Sequence, residues 1–226
     1  DKPIIMDLQR LRITGMAWGQ DHLWLASPEN SLVLTYDPIS SRSEIKLTYS
    51  HPVVDVCPSA GGIWLIAGGG TLGQQCVLWS EERAEELRHF NCPEGAASGI
   101  TVREGMLWLT HRRHWKLFCL DPQDGKTKWV IRTEKESFSP TFHDGELWLI
   151  ETEPGPLGHW GRPEQARVSF IRYDVARERV VERIPAPFDP SCIAFDGKRF
   201  WYAEREKLGF SSIPCGSLAG KSLFVT

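Results

Sequence analysis

The stretch ITGMAWGQDHLWLAS at residues 13–27 decides the fold, because four other stretches of the chain repeat its pattern. Each of the five has a short apolar strand, a polar turn and a second apolar strand centred on a tryptophan, which is typical of a β-hairpin. The other four are VVDVCPSAGGIWLIA (53–67), ASGITVREGMLWLTH (97–111), SFSPTFHDGELWLIE (137–151) and PSCIAFDGKRFWYAE (190–204). The tryptophan has the same position in every repeat, so we expect it to fill the space between neighbouring sheets.

A third and a fourth strand can be identified after several of the hairpins. The third ends in an aspartate at a turn, as in LVLTYDP (32–38), KLFCLDP (116–122) and SFIRYDV (169–175). Four-stranded units that recur about every 40 to 45 residues are typical of β-propeller blades. The sequence therefore predicts an all-β protein with a single domain over 1–226, a five-bladed β-propeller of four-stranded antiparallel blades.

The spacing of the repeats also predicts where each blade lies. We expect blades at approximately 13–50, 53–91, 97–134, 137–187 and 190–226. Either IIMDLQ (4–9) or KSLFVT (221–226) could supply the outer strand of the fifth blade, and residues 1–12 could thereby close the ring. Closure by a terminal strand would hide both edges of the ring.

Composition restricts the partners of the protein. The 226 residues carry a formal net charge of −3 and 24% of them are charged, so we do not expect nucleic acid as a partner. Apolar stretches such as Leu147 to Ile150 are far shorter than the roughly 20 residues that cross a bilayer, so we expect no transmembrane segment. Because the sequence starts at Asp1 rather than Met, we expect that an upstream segment has been removed, either by cleavage of an export signal or by choice of an artificial start point. We expect a periplasmic or extracellular protein.

The cysteines leave two interpretations open. The six are Cys57, Cys76, Cys92, Cys119, Cys192 and Cys215. None forms a CxxC pair and their spacing matches no zinc pattern, so we do not expect metal binding through sulfur. They form up to three disulfides in an oxidising compartment, or they are buried thiols of the core.

Polar residues follow the repeat tryptophans on three consecutive blades. The residue three positions after each tryptophan lies where the second strand reaches the face on which the loops collect, and these residues are Ser27, Ala67, His111, Glu151 and Glu204. A histidine with two carboxylates can bind a divalent ion or act as base and acid on a substrate. The alternative is that His111, Glu151 and Glu204 are ordinary solvated residues of the rim.

Two loops of the same face carry tryptophan and arginine, the residues most enriched at the energetic centres of interfaces. HRRHW (111–115) contains Arg112, Arg113, His114 and Trp115, and the long ETEPGPLGHWGRPEQAR (151–167) contains His159 and Trp160. Long loops are often functional, so we expect these six residues to contact a ligand or partner. The alternative is that the loops pack on their own sheets.

The repeat unit resembles those of the glutamine cyclotransferase-like and quinoprotein-like (YVTN-type) propellers. The resemblance lies in the G-(I/L/M)-(A/T)-(W/F) start, the D-G-x-x-(L/F)-W turn and the stretch LFCLDPQDGKTKW (117–129). It implies a propeller fold, with glutaminyl cyclase as the natural enzymatic interpretation. Those enzymes carry an L-Y-E-S-T stretch with a catalytic glutamate, and the matching position in this chain is Leu25, which cannot transfer a proton.

The sequence therefore favours a non-enzymatic binding or scaffold protein that holds another protein or a larger assembly on one loop face. The alternative is an enzyme of glutaminyl-cyclase or lyase type that acts on a small molecule or a peptide N-terminus. In that case His111, Glu151 and Glu204 would supply the acid-base or metal-binding groups. We expect no cofactor and, under the favoured interpretation, no metal, while a small-molecule ligand is compatible with either.

Overall fold

The strands form five antiparallel sheets around a common centre. A computed structural model describes residues 7–68, 73–153, 167–219 and 223–224. The first strand of each sheet contacts the first strands of both neighbouring sheets, so the five sheets close into a ring. This arrangement confirms the predicted all-β fold and the five-bladed β-propeller.

Each blade is numbered from its innermost strand outwards. The first three blades comprise β1 (Gly15–Gly19), β2 (His22–Ser27), β3 (Leu32–Asp37) and β4 (Arg42–Thr48); β5 (Val53–Ser59), β6 (Gly62–Gly68), β7 (Gln74–Ser80) and β8 (Glu85–Asn91); and β9 (Gly99–Arg103), β10 (Met106–His111), β11 (Lys116–Leu120) and β12 (Thr127–Arg132). The last two comprise β13 (Glu136–His143), β14 (Glu146–Glu153), β15 (Arg167–Asp174) and β16 (Arg179–Pro185); and β17 (Pro190–Phe195), β18 (Arg199–Glu204) and β19 (Ser211–Pro214).

The described helical segments are short. They are the 3₁₀ turns Leu8–Arg10, Pro93–Gly95 and Arg112–His114 and the single-turn helix α1 (Cys215–Ala219). In the part of the chain that the structure describes, no helix is long and apolar enough to cross a membrane.

The C-terminal strand departs from the expected position. A two-residue strand β20 (Leu223–Phe224) pairs with β16, so it adds a fifth strand to blade four and leaves blade five with three described strands. Of the two segments that could supply the outer strand of blade five, the C-terminal one therefore has its described residues on blade four instead. The reason is that α1 begins directly after β19 and contacts β16, so the chain turns towards blade four.

The N-terminal segment contacts blade five without forming a described strand there. Residues 1–6 lie outside the described residues, and Leu8–Arg10 form a 3₁₀ turn. The backbone N–H of Gly209, just before β19, donates to the carbonyl of Leu11 at 2.7 Å. The side chains of Leu8 and Leu11 are buried in a cluster shared by blades one and five.

The repeat tryptophans pack between blades as predicted. Trp24 is in a cluster with residues of blade two, and each later tryptophan is likewise buried against the following blade, up to Trp201, which packs with blade one. All five are at most 8% exposed. Each interface between neighbouring sheets therefore contains one large buried ring, which packs with the aliphatic residues of both blades.

The centre of the propeller is tightly packed at the third residue of each repeat. These residues are Gly15, Asp55, Gly99, Ser139 and Cys192. A Cβ atom on Gly15 would overlap with the backbone of Asp55, and one on Gly99 would overlap with Pro140. Small or glycine residues at this position therefore allow the first strands to approach closely.

The carboxylate of Asp55 joins three blades at this level. Its oxygens accept backbone N–H groups from Met16 at 3.0 Å, from Val56 at 2.9 Å and from Ile100 at 2.8 Å, which belong to blades one, two and three. On the opposite side, the hydroxyl of Ser139 accepts the N–H of Ile193 at 2.8 Å and so joins blades four and five. Polar side chains thus satisfy backbone donors that the separate sheets leave unpaired.

The structure holds all six cysteines as free thiols, five of them buried and Cys215 half-buried. The sulfur atoms of Cys76 and Cys92 are 3.6 Å apart. This arrangement matches the second of the two interpretations left open by the sequence, in which the thiols belong to the core.

Candidate functional site

The segment after β10 forms an ordered turn on the face where the loops collect. Arg112–His114 make one 3₁₀ turn, and Trp115 follows in the left-handed conformation with φ of 54°. The hydroxyl of Ser98 accepts the N–H of Arg112 at 3.1 Å, and the carbonyl of Trp115 accepts the N–H of Thr133 at 2.9 Å. Both ends of the turn are therefore fixed to neighbouring strands.

An open cavity of about 520 Å³ lies beside this turn, between blades two and three. It is lined by residues 73–74 at the start of β7, by residues 94–98 of the connection between the blades, and by residues 111–114. Three separate loops thus converge on one concave space, which is the usual setting of a ligand site.

His111 is the most deeply buried polar side chain of this cavity. It is the last residue of β10, it is only 5% exposed, and its Nδ1 atom has no hydrogen-bond partner. Its ring stacks on that of His114, with the ring centroids 4.1 Å apart and the planes at 3°. Burial lowers the pKa of His111 and the neighbouring His114 lowers it further, which favours the neutral imidazole.

Glu94 contributes the acidic group of the cavity. It lies in the 3₁₀ turn Pro93–Gly95, and its two carboxylate oxygens accept hydrogen bonds from Lys116 and from His114. The ammonium of Lys116 and then the imidazole of His114 lower the pKa of Glu94 to about 2, so this carboxyl is ionised.

Sequence reasoning missed Glu94 because it is outside the five repeats. Loops between blades reach the same face as the loops that follow second strands, and this rule could have identified Glu94. Applied to the connection between β8 and β9, this rule selects 92–98, where Glu94 is the one acidic residue.

The three predicted acid-base residues do not contact one another among the described residues. Glu151 is buried, and its carboxylate accepts two hydrogen bonds from Arg183, at 2.7 and 3.1 Å. Glu204 pairs with Lys207 at 2.8 Å, whereas His111 stacks on His114. Neighbouring blades meet mainly through their first strands, so residues at the ends of second strands lie one strand further from the centre.

The predicted binding residues divide into anchored and available side chains. Arg112 forms an ion pair with Glu136, and its guanidinium carbon lies 4.3 Å from the ring centroid of Phe138. Arg113 is exposed and has neither a hydrogen bond nor an ion pair with any described residue. Trp115 is 44% exposed. His159 and Trp160 lie outside the described residues.

Comparison with known proteins identifies similar folds. No family model matches the sequence, and no curated protein has significant similarity to it. Glutaminyl cyclase from Myxococcus xanthus superposes with a TM-score of 0.64 at 12% identity, covering 91% of this chain and 92% of that one. A chain of a mitotic checkpoint complex gives 0.55 at 10% identity over 94% and 84% of the two chains. A chain of Kuenenia stuttgartiensis hydrazine synthase gives 0.53 at 14% identity over 88% and 56%.

Identities of this size show the fold alone, and these proteins differ widely in what their names describe. The comparisons agree with the resemblance found in the repeat unit. The chain is therefore a five-bladed β-propeller whose fold is similar to that of the glutamine cyclotransferase-like propellers.

Proposed function

We propose that this protein is a non-enzymatic binding subunit that holds a partner protein on the turn of residues 112–115. The observation that carries the proposal is the exposure of Trp115 next to Arg113, which has no ion pair with any described residue, on a turn whose two ends are fixed. Tryptophan and arginine are the side chains that most often dominate binding energy at protein interfaces.

The backbone of the 112–115 turn is already ordered, which favours tight binding of a partner. Trp115 has its backbone held by the hydrogen bond from Thr133 and by its own N–H, which donates to the carbonyl of Arg112. A partner that covers the indole would therefore lose little conformational entropy in ordering the backbone. Loss of water from the exposed ring then contributes directly to the affinity.

The charge of the turn indicates the chemistry of the partner. Arg112 is neutralised by Glu136, whereas the exposed Arg113 has no acidic partner in the part of the chain that the structure describes. A partner segment with a carboxylate beside an apolar pocket would complement Arg113 and Trp115 together. We therefore expect an acidic residue of the partner to contact Arg113.

Several features oppose the enzymatic alternative. Leu25, at the position of the glutaminyl cyclase glutamate, is fully buried in the core of blade one. Glu151 is buried and accepts two hydrogen bonds from Arg183, so its carboxylate already has a structural partner. The second candidate function is the binding of a small molecule in the cavity beside His111, and it is supported by the Nδ1 atom of His111, which has no hydrogen-bond partner. Cyclisation of an N-terminal glutamine in a test peptide, followed by mass spectrometry, would reveal such an activity.

The binding proposal is tested by capture of partners from the natural source, with native mass spectrometry of the purified complex. Trp115→Ala should weaken the captured complex by about 2 kcal/mol or more, roughly thirtyfold in Kd, and Arg113→Ala should weaken it in the same direction. Trp129→Ala is the matched control, because Trp129 is 40% exposed on the outer strand of the same blade and lies away from the turn.

The three variants distinguish a result that supports the proposal from one that contradicts it. Retention of the partner by Trp129→Ala and its loss by Trp115→Ala would support the 112–115 turn as the binding surface. Equal affinity of wild type, Trp115→Ala and Arg113→Ala would contradict the proposal. Circular dichroism of each variant should match the wild type, because both tryptophans are partly exposed.

A further inference from the structure

We propose that Glu94, His111 and His114 form a binding site for a divalent transition metal, for which Zn²⁺ is the probe. Each offers one ligating atom, and the three atoms lie within 4.8 Å of one another at the edge of the open cavity. Two imidazoles and one carboxylate are a common protein ligand set for zinc that retains an open coordination position. This inference departs from the expectation of no metal and does not depend on the proposed partner binding.

The buried nitrogen of His111 is the independent observation. Buried polar atoms are almost always hydrogen-bonded, and a bound ion is one of the ways in which a buried nitrogen without a hydrogen bond is satisfied. His111 is at least nine-tenths buried and lines the cavity, yet its Nδ1 atom has no partner. A metal ion bound to this imidazole, directly or after a small ring rotation, would account for a polar group placed there.

The protonation states of the three residues suit metal binding. A ligating imidazole must be neutral and a ligating carboxyl must be ionised. Burial holds the pKa of His111 below its usual range, and Lys116 with His114 holds that of Glu94 at about 2. Both shifts favour the protonation state in which each residue can act as a metal ligand.

The geometry requires a modest rearrangement of the two exposed ligands. Nitrogens bound to one tetrahedral zinc at about 2.0 Å lie roughly 3.3 Å apart, and the ion lies near the plane of each ring. The parallel stacking of His111 on His114 must therefore give way to rotation of one ring. His114 and Glu94 are partly exposed, with side-chain exposures of 51% and 34%, so they can turn, whereas His111 is held by β10.

Lys116 can remain in place when the metal binds. The carboxylate of Glu94 accepts from Lys116 with one oxygen and from His114 with the other. The oxygen that faces His114 can become the metal ligand while the other keeps Lys116, which would then orient the carboxylate from outside the coordination shell. Water from the cavity would complete the coordination.

The test is calorimetric titration of the full chain with Zn²⁺. We expect one ion per chain, and a decrease in affinity of about tenfold or more in Glu94→Gln and in His114→Ala. His89→Ala is the matched control, because the Nδ1 atom of His89 contacts a Glu86 oxygen at 2.5 Å in a similar exposed pair that belongs to no group of three clustered ligands among the described residues. Zn²⁺ should also raise the thermal midpoint of the wild type and of His89→Ala but not that of His114→Ala.

Absence of saturable Zn²⁺ binding, or equal affinity in wild type, Glu94→Gln and His114→Ala, would overturn the proposal. So would a sulfur-to-metal charge-transfer band after Co²⁺ substitution, which would assign the ion to the nearby thiols of Cys76 and Cys92 instead. Trp115→Ala should bind Zn²⁺ like the wild type. Failure of the metal site is thereby distinguished from failure of the partner surface.

Discussion

Asp55 shows how a single residue can connect several blades. Its carboxylate is fully buried and accepts backbone N–H groups of three different blades, and no described cation forms an ion pair with it. Burial raises the pKa of Asp55 to about 7, although the three N–H donors act in the opposite direction. The folded protein therefore keeps a proton on this carboxyl at pH values where the unfolded chain has released it.

This difference predicts a pH-dependent contribution to stability. Between about pH 4, the usual aspartate pKa, and pH 7, the folded state binds more protons at Asp55 than the unfolded state does, so the contribution of this group to stability falls as the pH rises. The slope is at most about 1.4 kcal/mol per pH unit. Asp55→Asn removes this titration. The free energy of unfolding in urea is measured from about pH 4 to 8 for wild type and for Asp55→Asn. We expect the value for wild type minus the value for Asp55→Asn to decrease up to about pH 7. A difference independent of pH would refute the assignment.

The sequence indicated several individual site residues, but it did not indicate which side chains they contact. His111 and Glu151 stand out because they occupy equivalent positions of the repeat, yet the sequence does not indicate that Arg183 pairs with Glu151 or that His114 stacks on His111. The structure pairs Glu151 on β14 with Arg183, which is 32 residues away on β16, and that contact depends on the register of both strands with β15 between them. Local patterns predict which residues reach a face, whereas the partners that neutralise them depend on tertiary packing.

At the level of strands, the close approach of β1 to β5 requires glycine at one point. A Cβ on Gly15 would overlap with the backbone of Asp55, which cannot move as a flexible side chain could. Gly15→Ala should therefore destabilise the protein by about 1–3 kcal/mol or more, as overpacking of a core does. Gly61→Ala is the control, because no atom lies within 4 Å of a Cβ added there. Thermal and urea unfolding measure both; equal stability of the two variants would show that the strands can separate.

The hairpins were predictable because their information is local. Alternating apolar residues and a turn specify β1–β2 and its four equivalents regardless of the rest of the chain. The connection between β8 and β9 has no such pattern, so the 3₁₀ turn that carries Glu94 could not be derived from the repeat. The candidate metal site combines residues from both kinds of segment, and for this reason only part of it was foreseen.

For the whole molecule, the number of blades followed from the period, whereas the closure of the ring did not. Five repeats of similar length predict five sheets, and the tryptophan of each repeat packs against the next blade. The strand β20 has only two residues, and a segment this short has no periodicity that could indicate its partner. Its pairing with blade four depends on the direction that α1 gives to the chain.

The contact between the N-terminal segment and blade five provides a test of the ring as a cooperative unit. Leu11 is buried in the cluster that contains Trp201 of blade five and Leu25 of blade one, and its carbonyl accepts the N–H of Gly209. Leu11→Ala should lower the free energy of unfolding by about 2–4 kcal/mol, because it leaves a cavity where the first and last blades meet. Leu87→Ala, on the exposed outer strand β8, should change it by less than about 0.5 kcal/mol.

The ten tryptophans of the chain report on the same transition, since the repeat tryptophans lie in all five interfaces between blades. If the ring unfolds as one unit, tryptophan fluorescence and far-ultraviolet circular dichroism of Leu11→Ala should shift together to lower urea concentration. Two separate transitions would mean that the blades fold independently and that the N-terminal contact stabilises only its neighbours. A stability of Leu11→Ala equal to that of Leu87→Ala would show that closure does not depend on this contact.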